Sequence, residues 1–589
     1  MFKRLHISKW LGGLFAPIER NGAFFVFMFV LGYLCTQLEI MPYYLRDRGA
    51  KPYELSVPEL FLDIYIVCVL LTLIPRRIRI FVKALLYVLF YGVAMVDMYC
   101  YDRFESTLTP TMLMLVGETT PQEASEFLTG YLNWEVIKSQ VGWVLLLILI
   151  HILWTAIRCW LGDLRQKMIL PKVNPAVITG FKAFFSLVVA WFLYVSISQT
   201  WDNKVAMHRM FTYDTVGQVE HELTRKDQAN LYVPIYRLAF SIYANHLASH
   251  QLVQLEAASE KIQIDSCSYR VPNIVLVIGE SYNKYHSQLY GYNKPTTPFQ
   301  KEMAEQGSLV PFTDVVAPWN LTSFVFKHVL SLHAIGDSGE WCDAPLFPEV
   351  FRKAGYHVTF ITNQFQSKAK EAVYDFSGGF FLNNPEMSQR QFDTRNTSLY
   401  QFDDGVLKAY DQLKTKDEHN LVILHLMGSH VEYRARYPQP ARRFFTPQNA
   451  NRPELTVKQR YILSDYDNSV RYNDSIMNAI TQRFIDKDAV VIYMPDHGEE
   501  IFDGSPFMYG RMHGANIDYR LARNEMEIPF WIWGSPQYIE NHPYGWQAIQ
   551  QAKDRPMMTD VLSHLLLYLG GISTPAYRPE YNVIAPEYD

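Results

Sequence analysis

The sequence predicts a chain in two parts, five membrane-spanning helices followed by a doubly wound α/β domain. Three observations carry this expectation. Five apolar stretches near the ~20 residues a bilayer crossing needs all lie in the first 200 residues. From residue 270 onward, apolar runs of strand length alternate with segments of helical periodicity. Several of those runs end on a carboxylate or an imidazole, the position at which open α/β sheets gather their ligands.

The five stretches are residues 23–43, 57–74, 80–98, 139–160 and 176–198. The first is too long, and too free of a small-residue cleavage site, to read as a removed signal peptide. Lys3, Arg4, Lys9 and Arg20 precede it. Arg76, Arg77, Arg79 and Lys83 surround the turn between the second and third, and Arg158, Arg165, Lys167 and Lys172 lie between the fourth and fifth. The excess of basic residues puts these three flanks in the cytoplasm. The opposite segment, 98–137, sets Arg103 against Asp102, Glu105, Glu118, Glu123, Glu126 and Glu135, as an external loop should. Arg46, Arg48 and Lys51 run against this orientation. An odd number of crossings then leaves everything after about residue 200 outside the cytoplasm.

The expected organisation is a membrane domain over 1–200, a connector over 201–269 and an external domain over 270–589. In the connector, Ile235, Leu238, Phe240, Tyr243, Ala244 and Leu247 recur at helical spacing. They describe either a helix lying on the membrane surface or one packed against the external domain. The 589 residues carry a net charge of −5, which gives no electrostatic reason to expect a nucleic-acid partner. The six cysteines form no CxxC pair. Cys35, Cys68 and Cys159 fall in or beside apolar stretches as small core residues, while Cys267 and Cys342 allow either one disulfide or two thiols.

In the second half the strand patterns are IVLVIG at 274–279, HVTFIT at 357–362, LVILHLMG at 421–428, AVVIYM at 489–494 and IPFWIWG at 528–534. The first, five aliphatic residues between Pro272 and Gly279, is the pattern of a strand buried on both faces and runs straight into Glu280. The third ends in His425, with His430 close behind, and the fourth runs into Asp496-His497, with His513 following in RMHG. Any one of these alone is more often a cap or a surface group than a ligand. Asp-His-Gly-Glu directly after an apolar strand puts two ligand types at the active edge of the sheet. Carboxylate oxygen with imidazole nitrogen suits zinc, and also manganese. A nucleophile is sought between the first and second ligands. Residues 315–334, VVAPWNLTSFVFKHVLSLHA, read as a strand end, a proline loop and a helix opening at Leu321-Thr322-Ser323. A hydroxyl at a helix start sits where backbone N–H groups favour an incoming phosphate, although Thr322 or Ser323 could equally serve only as an N-cap. Ser281 is a further hydroxyl candidate.

Together these residues resemble the phosphoethanolamine transferases of Gram-negative inner membranes, within the alkaline phosphatase superfamily. The motifs are GES at 279–281, LYGY at 289–292, TTP at 296–298, HLMGSH at 425–430 with RYP at 436–438, YDN at 466–468, DHGEE at 496–500 and the later HG. With GES at the first motif and HLMGSH at the third, the chain resembles in particular the branch that modifies lipopolysaccharide core heptose. The resemblance implies an alkaline-phosphatase/sulfatase-like catalytic domain in the periplasm, anchored in the inner membrane. It implies that Glu280, Thr322, Asp496 and His497 hold a principal zinc, and that Thr322 becomes the phosphoethanolamine-enzyme intermediate. His430 and His513 match histidines near a second zinc or the substrate phosphate. Asn363, Gln364, Lys368 and His425 fall where relatives contact substrate. The loop from His497 to His513 is longer than in the lipid A enzymes, and those enzymes carry several external disulfides where this chain can form at most one.

The implied reaction moves phosphoethanolamine from phosphatidylethanolamine to a lipopolysaccharide acceptor, through Thr322, with release of diacylglycerol. A glycerophosphate transferase using phosphatidylglycerol shares the same architecture. Sulfate hydrolysis is not favoured, because no Cys/Ser-x-Pro-x-Arg nucleophile motif is present. A silent membrane scaffold would have no reason to keep ligands at this spacing.

Overall fold

The computed structural model describes residues 13–38, 53–104, 107–108, 110, 138–167, 174–216, 218–219, 222, 229–364, 380–415, 417–449, 452–504, 509–511 and 518–588. The chain forms two compact units, Met1–Leu247 and Ala248–Asp589.

The first unit contains helices α1 (Ala16–Leu38), α2 (Ser56–Leu73), α3 (Arg76–Phe104), α4 (Gln140–Lys167) and α5 (Pro175–Met210), each long and apolar enough to cross a membrane. They overlap the five expected stretches. α1 begins earlier than residue 23 because its first turns carry Glu19, Arg20 and Asn21, polar residues that an apolar count passes over. The Asn21 amide donates to the Pro17 carbonyl at 3.0 Å, to the Cys68 carbonyl at 2.9 Å and to Thr72 Oγ1 at 3.1 Å, at a kink in α1. Buried polar groups of this kind tie one apolar helix to another where no hydrophobic preference can. Most of the acidic 98–137 segment, and Arg46, Arg48 and Lys51, lie outside the described residues.

The connector contains the expected helix, α6 (Pro234–Glu260), and it extends well beyond the periodic stretch. In the first unit its Arg237 pairs with buried Asp97 at 3.5 Å. In the second unit its Gln251 donates to Glu340 at 3.1 Å and its Ser259 to Glu349 at 2.5 Å.

The second unit is built on a seven-stranded sheet. Its strands are β1 (Asn273–Gly279), β2 (Leu309–Phe312), β3 (His357–Thr362), β4 (Thr394–Arg395), β5 (Asn420–His425), β6 (Ala489–Pro495) and β7 (Phe530–Gly534), in the order β2-β7-β6-β1-β5-β3-β4. β1 lies between β5 and β6, parallel to both, with Ile278 opposite His425 and Gly279 opposite Pro495. All seven of its residues are buried, which is why its sequence is continuously apolar rather than alternating. All five expected strands are present. The sheet is mixed, however, because β7 runs antiparallel to both β6 and β2. A strand buried on both faces is apolar throughout in either direction, so its pattern carries no sign. β2, which contains Pro311, is an edge strand that the periodicity did not mark.

Two helices support the sheet's active edge. α7 (Thr322–Leu330) follows the loop that leaves Val316. α8 (Val457–Arg483) is started by a capping box between Thr456 and Gln459. Neither Cys267 nor Cys342 forms a disulfide: Cys342 Sγ donates to Gln254 at 3.0 Å and Cys267 Sγ to the Gly570 carbonyl at 3.5 Å.

Candidate metal centre

β1 and β6 end side by side, so the residues that follow them are forced into one crevice. Glu280 follows β1, Asp496 and His497 follow β6, and all three are essentially inaccessible to solvent. His497 Nε2 lies 3.2 Å from Glu280 Oε1 and 3.2 Å from Asp496 Oδ2. One ligand atom from each of the three falls within 4.8 Å of the others. Thr322 is the first residue of α7 and its Oγ1 donates to Glu280 Oε2 at 3.2 Å. The N-cap position belongs to Leu321, which makes no side-chain cap, so the Thr322 hydroxyl is directed at the carboxylate rather than at its own helix.

The donor set fits a divalent cation. Asp496 Oδ2 is buried without a hydrogen-bond partner, an arrangement that costs free energy unless a cation completes it. His497 Nδ1 lies 2.7 Å from the Gly498 carbonyl, which can only accept. The ring therefore carries its proton there and presents a bare Nε2 to the carboxylates, the orientation that metal-binding histidines need. Burial, and Arg511 after it, lower the His497 basicity against the opposing pull of Glu280.

The turn after Glu280 is closely held. Ser281 Oγ donates to Glu280 Oε1 at 2.8 Å, and Ser281 N donates to Asp496 Oδ1 at 3.2 Å. Ser281 has φ 55°, a left-handed conformation that costs a non-glycine residue on the order of 1 kcal/mol or more and persists only where the surroundings enforce it. Tyr466 of α8 enforces it: its hydroxyl donates to the Ser281 carbonyl at 3.0 Å and accepts from Asn283 N at 2.7 Å. Ser281 is thus committed to Glu280, and Ser323 is buried within α7.

Burial works against ionisation of Glu280, but His497, His430 and Arg511 outweigh it and hold the carboxyl well below its usual range. Asp496 is pushed upward by burial and by the charge of Glu280. Glu499, also buried, rises to about 8 through burial, opposed by Arg511.

His430 lies in the turn after β5, half-buried, close enough to contribute to the charge of Glu280. Gln364 reaches the site, donating to Glu280 Oε2 at 3.0 Å and to the Leu426 carbonyl at 2.8 Å. Asn363 corrects the expectation of a substrate contact. Its amide donates to Asp403 at 2.9 Å and its carbonyl accepts from Tyr400 N at 2.7 Å, which leaves it a buried strut. His425 is likewise internal, 3.0 Å from Thr362 Oγ1 and packed on Phe326 at 4.5 Å, with burial lowering it to about 3. Lys368 and His513 lie outside the described residues.

Three residues of this site escaped the sequence reading. Arg511 NH1 lies 2.5 Å from His497 Nε2 and donates to the Asn320 carbonyl at 3.0 Å. Asn320 donates to Glu525 at 2.6 Å. Glu499 accepts from Tyr433 at 2.5 Å. Glu499 and Arg511 lie inside DHGEE and RMHG, where the histidines carry the more obvious ligand chemistry.

The profile of the Sulfatase family matches residues 272–571. Phosphoethanolamine transferase EptC of Escherichia coli O18:K1:H7 (strain RS218 / NMEC) is 25% identical over 527 residues, covering 88% of this chain and 84% of that protein. Kdo(2)-lipid A phosphoethanolamine 7''-transferase of Escherichia coli (strain K12) is 34% identical over 302 residues, half of each chain. Among solved structures, the C-terminal periplasmic domain of EcEptC from Escherichia coli in complex with Zn is 26% identical with a TM-score of 0.47, covering 56% of this chain and 90% of that one.

Proposed function

The chain belongs to the Sulfatase family, and on that premise we propose that it is a membrane-anchored, metal-dependent phosphoethanolamine transferase. It takes phosphoethanolamine from phosphatidylethanolamine, holds it on Thr322, and passes it to a lipopolysaccharide acceptor. The names of its relatives, phosphoethanolamine transferases of which one acts on Kdo(2)-lipid A, support the group transferred and the acceptor class. The five apolar helices support a membrane position beside a lipid donor, and the basic flanks support a periplasmic site at the inner membrane.

The single observation that carries the mechanism is the Thr322 hydroxyl at the start of α7, hydrogen-bonded to Glu280 within the ligand cluster. Glu280, Thr322, Asp496 and His497 would hold zinc, with His430 and His513 as the candidates for a second ion or for the substrate phosphate. Zinc bound there supplies Lewis-acid charge next to the Thr322 oxygen and the phosphoryl group. Thr322 directs its proton to Glu280 and presents a lone pair outward. Its Oγ forms the bond to phosphorus while the bond from phosphorus to the glycerol oxygen breaks. His430 and His513 supply the proton with which that oxygen leaves as diacylglycerol. Arg511, which also donates to the Asn320 carbonyl, and the backbone N–H groups of the first turn of α7 would supply positive potential to the phosphoryl oxygens. In the second half-reaction an acceptor oxygen takes Thr322's place on phosphorus, and the threonine hydroxyl is restored.

The test uses detergent-purified protein and phosphatidylethanolamine with a fluorescent acyl chain. Wild type releases diacylglycerol and gains one phosphoethanolamine adduct by intact mass; Thr322→Ala loses both by about 1,000-fold or more. Turnover of phosphatidylglycerol instead would assign the chain to glycerophosphate transfer. Equal turnover by Thr322→Ala would return the nucleophile to Ser281 or Ser323.

A further inference from the structure

A cavity of about 310 Å³ takes no part in the chemistry described above. One wall is Tyr285, His286 and Tyr292; the other is Arg520, Arg523 and Asn524, with Arg452 and Asp503 between them. Resting on the transferase reading, we propose that this cavity anchors an anionic group, phosphate or carboxylate, of the acceptor glycan.

The charge balance points to an anion. Three guanidiniums line the cavity against one carboxylate, Asp503. Asp503 is already committed, to Arg452 at 3.1 Å and to His286 Nε2 at 2.9 Å. Arg452 is further held by the Phe502 carbonyl at 2.9 Å and by Glu454. Arg520 is different: among the described residues its guanidinium has no ion-pair partner, and it is exposed on the same face of helix α9 (Tyr519–Met526) as Arg523. Arg523 lies over the Tyr285 ring at 4.4 Å, hydrogen-bonds Tyr285, and meets Glu527 through Nε at 3.3 Å, so its guanidinium is held at the cavity wall. Two guanidiniums one helical turn apart match the oxygens of a phosphate or carboxylate better than those of any neutral group.

The size and walls suit a sugar. A volume near the lower end of small-ligand sites holds one substituted ring and excludes an acyl chain. The floor is rigid because His286 is fixed at both nitrogens, Nδ1 being 2.8 Å from Asp467.

The cavity is also continuous with the catalytic loops. Glu500, in the segment that carries Asp496 and His497, accepts from Asp503 N at 2.6 Å and from the Asn524 amide at 2.7 Å, so it joins two of the walls. Glu525, next to Asn524, accepts from Asn320 at 2.6 Å through its side chain and from Gly498 N at 2.8 Å through its carbonyl. Asn320 precedes the nucleophile loop's Thr322, and Tyr285 follows closely on Glu280. An acceptor seated here through one anionic group presents a neighbouring oxygen toward Thr322.

The experiment compares full-length wild type with Arg520→Ala/Arg523→Ala and with Arg520→Lys/Arg523→Lys, in detergent, following the two half-reactions separately. The readout is the split between them. Expected is a rise of about tenfold in KM for rough lipopolysaccharide in the double alanine variant, partly rescued by lysine, with kcat and adduct formation from phosphatidylethanolamine following wild type. Phosphatase-treated acceptor that abolishes the difference between wild type and variant assigns the group as phosphate; carboxyl-reduced acceptor that does so assigns it as a sugar acid. Equal KM in all three proteins overturns the proposal, as does a parallel fall in adduct formation, which would assign the arginines to the donor. Direct binding of fluorescent lipopolysaccharide to the same proteins separates this outcome from failure of the transferase reading: a protein that turns over no phosphatidylethanolamine but loses lipopolysaccharide affinity on arginine removal keeps the site, and unchanged affinity removes it. Melting temperatures within a degree or two of wild type exclude misfolding.

Discussion

Gln364 donates to Glu280 Oε2 and fixes the orientation of that carboxylate, as a carboxylate does for a metal-bound histidine by accepting its ring N–H. Gln364→Ala removes that donor and also frees the Leu426 carbonyl. We expect a 10–100-fold loss of turnover with weaker zinc binding, measured by activity against free zinc concentration in a metal buffer; a change in donor KM alone would make Gln364 a substrate contact instead. Gly428 is constrained in another way. It has φ 52°, and a Cβ there would stand 2.7 Å from both the backbone nitrogen and oxygen of Glu280. Gly428→Ala should therefore cost about 1–3 kcal/mol and displace Glu280, seen as a lower melting temperature together with lost activity. At this scale the sequence marked the three residues that cluster, Glu280, Asp496 and His497, because each follows an apolar strand at the sheet's edge. It did not distinguish Asn363 and His425 from them, since a polar residue at a strand end looks the same whether it faces the crevice or the core. Arg511 was missed because its position depends on a chain reversal between β6 and α9 that has no periodicity to read.

At the scale of elements, the motif YDN sits inside α8 and does no chemistry of its own. Tyr466 shapes the turn at Ser281, Asn468 ties α8 to the Phe444 backbone through bonds of 2.8 Å, and Asp467 receives His286, Lys294 and Tyr292. His286 thus bridges Asp467 to Asp503. Burial disfavours its charged form, but the two carboxylates outweigh burial and raise its pKa from 6.5 to about 9. A folded-state pKa above the unfolded one means the clamp's stability is fully present below about pH 6.5 and is lost as pH rises through 9. The loss amounts to about 3 kcal/mol. Asp503, lowered chiefly by His286 against the effect of burial, has the opposite sign and loses its share only as pH falls into the carboxylate range. Wild type should thus melt at clearly lower temperature at pH 9.5 than at 6.5, and His286→Gln should flatten that slope; an equal slope in both proteins would remove His286 from the clamp. The five predicted strands were legible because each is a short apolar run between polar turns. The direction of β7 and the existence of β2 were not, since both are settled by pairing partners far away in sequence, Val310 with Ile532 and Trp531 with Tyr493.

At the scale of the molecule, the chain divides inside α6 rather than in an irregular linker, with Leu247 closing one unit and Ala248 opening the next. The units differ in what holds them. The first is held by apolar helices and a few buried polar ties such as Asn21 with Cys68, and none of its described residues forms a ligand cluster. The second concentrates Glu280, Asp496 and His497 at one point, where two buried carboxylates repel and Asp496 Oδ2 lacks a partner. A cation that binds this cluster only when it is assembled adds its binding free energy to the second unit alone. Calorimetry in detergent should accordingly show zinc at a hundredfold excess over its dissociation constant raising one transition by roughly 5 °C and leaving the other in place. The responding transition is identified with an isolated 248–589 fragment, and Asp496→Asn should abolish the response while keeping both transitions. A shift of both transitions by zinc would mean that the two units unfold as one, and a shift that survives in Asp496→Asn would place the ion elsewhere.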